Sequence, residues 1–134
     1  MKKIVLLFLI LNGMLLADDL IWQKDLESAF ALAEKEHHTV MVMVEGEHCR
    51  WCKKMRYRTL GNDRVIAALK SFITVRVDEA DETAMKILPP VQGVPTIFFL
   101  QPDKKVIETV TGYYGVDDFL SFVKDIKRQT WQVQ

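Results

Sequence analysis

The chain has 134 residues, with eighteen basic and eighteen acidic side chains, three histidines and two cysteines. This length fits one domain, or a small domain carrying a processed segment, and the zero formal charge supplies no global positive field to hold nucleic acid. Two cysteines allow one disulfide or one redox pair but cannot alone furnish the four ligands of a structural zinc, and 49% hydrophobic with 27% charged residues excludes a disordered or collagen-like chain.

The first expected element is a secretory leader. Lys2 and Lys3 form a short positive region, Ile4 to Leu11 is an unbroken apolar run, and Met14-Leu15-Leu16-Ala17 precedes Asp18 and Asp19. The run is shorter than the ~20 residues of a membrane-spanning helix, and no cysteine near residue 17 offers a lipid attachment point. Cleavage is expected after Ala17, which makes residues 1–17 a signal peptide and 18–134 the domain. An uncleaved anchor and an ordinary buried N-terminal element are the alternatives. Loss of the leader removes two lysines and leaves sixteen basic against eighteen acidic groups. Export places both cysteines in an oxidising compartment, and no stable membrane insertion is expected after cleavage.

Helical and extended patterns then alternate. Asp25 to Glu36 carries Leu26, Ala29, Phe30 and Ala33 at three-and-four spacing, the stripe of an amphipathic helix. Thr39 to Val44 is a continuous β-branched and methionine run, the pattern of a strand covered on both faces. A second helical region is expected from Cys49 to about Leu60, followed by a short helix that opens at Asn62-Asp63 and carries Val65, Ile66 and Leu69. Phe72 to Val77 reads as a second buried strand, and Ala80 to Leu88 as a weak helix stopped by Pro89-Pro90. Thr96 to Leu100 and Val106 to Thr111 form a hairpin about Pro102-Asp103. The last helix, Val116 to about Arg128, places Phe119, Phe122, Val123 and Ile126 on one face, with acids in its first turn and bases in its last as the helix dipole favours. This order predicts one α/β domain, a mixed central sheet with helices on both faces.

The chemistry concentrates at Cys49-Arg50-Trp51-Cys52. Two cysteines three apart, where a buried strand gives way to a helix, can close a small ring with the first sulfur at the helix start, where unpaired N–H groups stabilise a thiolate. His48 precedes the pair, and Arg50, Lys53, Lys54, Arg56 and Arg58 follow with no acid before Asp63, so His48 and Arg50 are expected to help lower the Cys49 pKa below that of a free thiol. Cys52 lies one turn in, on the side of Trp51, Met55 and Thr59, the expected packed face. That shielding suits it to resolving rather than attacking.

Other uses of the same residues stay open. A c-type haem needs His directly after the second cysteine, where Lys53 stands. Metal binding could recruit His48 with His37 or His38, and Met41, Met43 and Met55 could suit Cu(I), although core filling accounts for methionines within an apolar strand. A purely structural disulfide at this spacing would constrain little of the unfolded chain. Arg50, Lys53, Lys54, Tyr57 and Arg58 share one helix face, which is either simply solvated or serves to tune Cys49 or dock an acidic protein.

Gly93-Val94-Pro95-Thr96 is the second feature. Proline is tolerated at a strand start because its missing N–H is not required there, and trans is the ordinary isomer. A cis Pro95 would turn the backbone of Val94 outward, able to pair with an extended substrate.

Strand, Cys-x-x-Cys at a helix start, strand, Val94-Pro95-Thr96, hairpin and final helix together resemble the thioredoxin superfamily over essentially residues 20 to 128. Trp22 before a short Ala-rich helix, Cys-x-Trp-Cys-Lys-x-Met at 49 to 55, Val77-Asp78 and Thr111-Gly112-Tyr113 are similar to exported bacterial thioredoxin-like proteins and to the C-terminal domain of DsbD-type electron carriers. The resemblance implies a thioredoxin-like fold in which Cys49 attacks a substrate disulfide, Cys52 resolves the mixed disulfide, and Val94 and Pro95 hold the substrate. Trp51 would present a flat apolar surface to the partner or pack as helix core. Two departures stand out. Met43 occupies the place of the family's buried Asp, and Thr74 that of its Lys partner. Glu45 and Glu47 are the nearest substitutes, read here as surface carboxylates on a turn. Arg50 within the motif should make the disulfide somewhat more oxidising than a thioredoxin's.

The resulting expectation is a periplasmic thiol:disulfide oxidoreductase that reduces protein disulfides, needs no metal or organic cofactor, and draws electrons from a membrane thiol carrier. A thiol oxidase or isomerase is the second reading. A non-enzymatic metal- or client-binding module on the same fold is the reading from a different class. Oligomeric state is not legible.

Overall fold

Each apolar run becomes a strand or a helix stripe, and the order in which they pack brings one end of the central strand to the start of the cysteine helix. The computed structural model describes residues 19–131; the leader expected over residues 1–17 lies outside them. The elements are β1 (Trp22–Gln23), α1 (Leu26–Glu36), β2 (Thr39–Glu45), α2 (Arg50–Lys54), α3 (Asp63–Ala68), β3 (Phe72–Asp78), α4 (Glu82–Met85), β4 (Thr96–Leu100), β5 (Val106–Thr111) and α5 (Val116–Trp131). They form one five-stranded sheet in the order β1-β3-β2-β4-β5. β3 runs parallel to β1 and β2, while β4 runs antiparallel to β2 and β5, so the sheet is mixed as expected.

The two faces of β2 build two cores. Val40, Val42 and Val44 pack with Ile73, Val75 and Phe98 beneath α1, whose Leu26, Ala29, Phe30 and Ala33 are all buried. Met41 and Met43 point the other way, into a cluster with Cys52, Met55, Leu69, Phe99, Phe119 and Val123 that joins α2, α3 and α5. Alternation across the pleat sends successive residues of one apolar run to opposite layers. This is the uninterrupted hydrophobic pattern of a strand buried on both faces.

Caps set the helix starts. The Asp25 carboxylate accepts from the Ser28 N–H at 2.8 Å, and this bond holds its pKa below the usual carboxylate range. Asn62 caps α3 through Arg64 N–H at 3.0 Å, and Asp81 caps α4 through Ala84 N–H at 3.0 Å.

Four elements differ from their expected form. β1 has only two residues, too few for periodicity to register. Trp22 lies opposite Thr74, whose hydroxyl donates to the Ile21 carbonyl at 2.8 Å. The helix expected to reach Leu60 is α-helical only to Lys54 and continues as a π-helical turn, Met55–Thr59, closed by the Leu60 N–H donating to the Met55 carbonyl at 2.9 Å. In that wider turn Met55 and Thr59 are both buried, and the Thr59 hydroxyl donates to the Tyr114 carbonyl at 2.6 Å. α4 ends at Met85 rather than Leu88, since none of its four residues is buried to hold it. α5 runs beyond Arg128 to Trp131, and Phe122 on its inner side is only half-buried, its ring edge-on to Tyr114 at 5.1 Å.

Phe99 is the hinge pin of the larger core, wholly buried and flanked by Phe72 at 5.7 Å and Phe119 at 6.2 Å between ring centroids. Phe99→Ala should lower unfolding free energy by about 3–5 kcal/mol. Urea denaturation would record this as a lower midpoint at unchanged slope.

Candidate active site

The buried run of β2 ends at Glu45, and a four-residue connection leads to α2. Cys49 is the N-cap of that helix, and its Sγ accepts from the Cys52 N–H at 3.1 Å. The two cysteines are joined as a disulfide, with α-carbons 5.2 Å apart. Cys49 is half-buried, whereas Cys52 is 2% exposed and belongs to the core cluster with Met43 and Met55. Cys49 is therefore the more open of the two and Cys52 is shielded, as the sequence spacing leads one to expect.

The second feature comes to the same end of the sheet. The Val94–Pro95 peptide bond is cis. Its loop is held by the Thr96 hydroxyl donating to the Gly93 carbonyl at 2.6 Å and by the Gly112 N–H donating to the Pro95 carbonyl at 2.8 Å. Gly112 has φ +93, a left-handed conformation that glycine adopts without a Cβ penalty. Gly46 lies so close to this loop that an added Cβ would stand 3.0 Å from Val94 Cγ2. Pro95 is buried and Val94 half-buried, and the main chain of Val94 makes no hydrogen bond to other described residues. A cleft of about 370 Å³ runs between Trp51, Val94, Pro95, Gly112 and Tyr113.

Trp51 overturns one expectation. Of its two expected places the packed face beside Cys52 is the one lost, because Trp51 is 48% exposed and forms a wall of the cleft. Consecutive helical residues point about 100° apart, so Cys52 and Trp51 cannot share one inward direction. Its ring lies 5.7 Å from that of Tyr113, and the Lys54 ammonium sits 4.7 Å from both centroids. This cation–π arrangement links α2 to the segment after β5. In sequence Lys54 belongs to the basic helix face and Tyr113 to the Thr111-Gly112-Tyr113 match, and neither is expected to contact Trp51. The signal for Tyr113 is its position just past the end of β5, whose partner β4 starts at Thr96, directly after Pro95.

The charges around the cysteines divide into two groups. Arg50 is exposed and makes no ion pair among the described residues. His48 has φ +56 and is exposed, with Nε2 3.4 Å from Glu47 Oε1, so solvent and a neighbouring carboxylate both weaken its field at Cys49. Glu45 corrects a second expectation. It ends β2 rather than sitting on a surface turn, its side chain is 19% exposed, and its carboxylate lies 2.6 Å from Arg56 Nε and 3.8 Å from Arg76. The Glu45–Arg56 contact is an ion pair by distance, although neither atom has an aligned hydrogen bond. Met43 is wholly buried beside Cys52, and Thr74 spends its hydroxyl on Ile21, so neither position supplies an acid. Met41, Met43 and Met55 are all core, and among the described residues no group of three or more His, Cys, Asp or Glu is placed to hold a metal ion.

Removing one partner of the Glu45–Arg56 pair would leave a largely buried charge with only the more distant Arg76. Arg56→Ala should destabilise the fold by about 1–3 kcal/mol in urea titration, with Arg56→Lys recovering part of the loss.

A family model described as a thioredoxin-like domain matches residues 26–127. The thiol:disulfide interchange protein DsbD of Pseudoalteromonas atlantica is 31% identical over 108 residues, covering 76% of this chain and 18% of that protein. This chain thus spans under a fifth of that relative's length. Among solved structures, DsbH oxidoreductase superimposes with a TM-score of 0.69 at 20% identity, covering 82% of this chain and 85% of the other. The C-terminal domain of Neisseria meningitidis DsbD in its reduced form gives a TM-score of 0.62 at 24% identity, covering 75% and 92%. At these identities the two structures bear on the fold.

Proposed function

This chain belongs to the thioredoxin-like family of thiol:disulfide oxidoreductases, and we propose that it reduces protein disulfides in the periplasm, with Cys49 as nucleophile and Cys52 as resolving thiol. The observation that carries this reading is the asymmetry of the pair. Cys49 is half-buried and its Sγ accepts the Cys52 N–H, while Cys52 is sealed in the core. An N–H aimed at sulfur favours the thiolate, and Arg50 adds an uncompensated positive charge, so the Cys49 pKa should lie below that of a free thiol.

The Cys49 thiolate attacks one sulfur of the substrate disulfide. A Cys49–substrate disulfide forms, and the other substrate sulfur leaves as a thiolate that takes a proton from water. Cys52 then attacks Cys49, the Cys49–Cys52 bond closes, and the second substrate sulfur leaves with the proton that Cys52 gives up. No carboxylate stands at position 43 to relay that proton. The substrate has gained two electrons and the enzyme has lost two. A dithiol carrier in the membrane restores the reduced pair by the same exchange. During attack the substrate backbone pairs with the unpartnered main chain of Val94, beside Pro95 and against Trp51.

The exported location rests on the leader pattern of residues 1–17 and on the likeness to a DsbD protein. A thiol oxidase remains the second reading, because Arg50 favours the thiolate and hence the reduced pair. Direction is decided by potential. Equilibration with glutathione is expected to give a value between about −270 mV and about −180 mV, and one near about −120 mV would overturn the reductase reading.

Roles are decided by trapping. Cys52→Ser should accumulate mixed disulfides on Cys49 that dithiothreitol releases, whereas Cys49→Ser should accumulate none and lose insulin reduction. Equal trapping by both variants would refute the assignment of nucleophile and resolver.

A further inference from the structure

The outer face of α2 and the π-helical turn forms a second groove, of about 490 Å³, lined by Arg50, Trp51, Lys53, Lys54, Tyr57 and Arg58. Four of these six side chains are cations and none is an acid. Among the described residues Arg50, Lys53 and Arg58 have no carboxylate partner, and Lys54 rests only on the aromatic faces of Trp51 and Tyr113. By contrast Arg56, on the inner side of the same turn, is neutralised by Glu45. Tyr57 is 73% exposed, and its ring lies 5.3 Å from the Arg56 guanidinium carbon. Positive charge on this face is therefore uncompensated in a chain whose overall formal charge is zero.

The groove is continuous with the site. Trp51, two residues after Cys49, walls both this groove and the cleft beside Val94 and Pro95, so a polypeptide lying over Trp51 has cations on one side and the free main chain of Val94 on the other. We infer that the groove binds an acidic flank of the substrate, an extended segment rich in Asp or Glu within a few residues of its reactive cysteine. The inference rests on the disulfide-reducing role above and names the class of polypeptide it selects. Uncompensated surface charge acts chiefly by steering encounter, so its contribution should appear in kcat/KM and weaken with salt.

The test compares the reduced protein on three substrates: neutral hydroxyethyl disulfide, and two peptide disulfides of equal length flanked by Asp and Glu or by Lys. At low ionic strength kcat/KM for the acidic peptide should exceed that for the basic one at least about tenfold, with the ratio shrinking severalfold in ~0.5 M salt. In the double variant Lys53→Glu/Arg58→Glu the ratio should fall to unity or invert, while hydroxyethyl disulfide is still reduced. Taking the ratio within each protein cancels any change in thiolate fraction. Equal rates for the two peptides, or an acidic preference that survives in the double variant, would overturn the inference. So would sedimentation with phosphatidylglycerol vesicles at physiological salt in the absence of peptide selectivity, which would assign the charge to a lipid surface. Failure to reduce hydroxyethyl disulfide would instead sink the redox reading. A cysteine-free acidic peptide then decides the groove separately: binding to the wild type but not to the double variant upholds it, and no binding to either overturns it.

Discussion

Five consecutive residues of β2, Val40 to Val44, are wholly buried, and that run fixes where everything else can go. It sits between β3 and β4 with an apolar layer above and below, so the strand cannot slip by one residue without exchanging the contents of two cores. Its carboxyl end is fixed in turn, and Cys49 follows four residues later. Met43 points towards α2 and packs in one cluster with Cys52 and Met55. The helix is thereby pressed onto the sheet by the residue that an acid would otherwise have replaced. Tight packing beneath the resolving thiol and the lack of a buried carboxylate are one fact seen from two sides.

The polar side of the site is arranged around that apolar anchor. Glu45, the first residue of β2 to escape full burial on this side, meets Arg56 of the π-helical turn and joins the strand end to the helix that carries the cysteines. On the opposite side of α2, Lys54 bridges Trp51 and Tyr113. The cysteine helix and the turn that continues it are thus held by an ion pair to the end of β2 and by a cation–π contact to the segment after β5. The ion pair is largely buried, so losing one partner is costly, whereas the cation–π contact at a more solvated position contributes less.

Much of this was legible in the residues, and the rest was not for identifiable reasons. β2, β3, β4 and α1 follow from unbroken or three-and-four apolar patterns whose burial is nearly complete. The hairpin follows from Pro102-Asp103. Cys49 and Cys52 stand out because their spacing has few other uses. β1 escaped because two residues carry no period. The switch to π-helix after Lys54 escaped because Met55 and Thr59 are spaced as an α-helix would have them, and the wider turn depends on the Thr59 hydroxyl reaching Tyr114 fifty-five residues away. Trp51 does not share the packed face with Cys52 because neighbours in sequence are not neighbours on a helix face, which leaves its apolar-surface reading. Glu45 was misread because its partners lie in the helix after it and in β3, and no local pattern announces either. Long-range pairs are where a linear reading loses sight of the site.

The Val94 main chain is an isolated stub of unpaired polar groups and not the open edge of a sheet, since β4 beyond it is already paired on both sides. A substrate can gain only one or two backbone hydrogen bonds there, each worth about 0.5–1.5 kcal/mol net. Such a grip is indifferent to side-chain identity and dissociates quickly once the covalent link is gone. Residence time on the protein is then governed by how long the mixed disulfide lasts, so closure of the Cys49–Cys52 ring both completes the chemistry and releases the product.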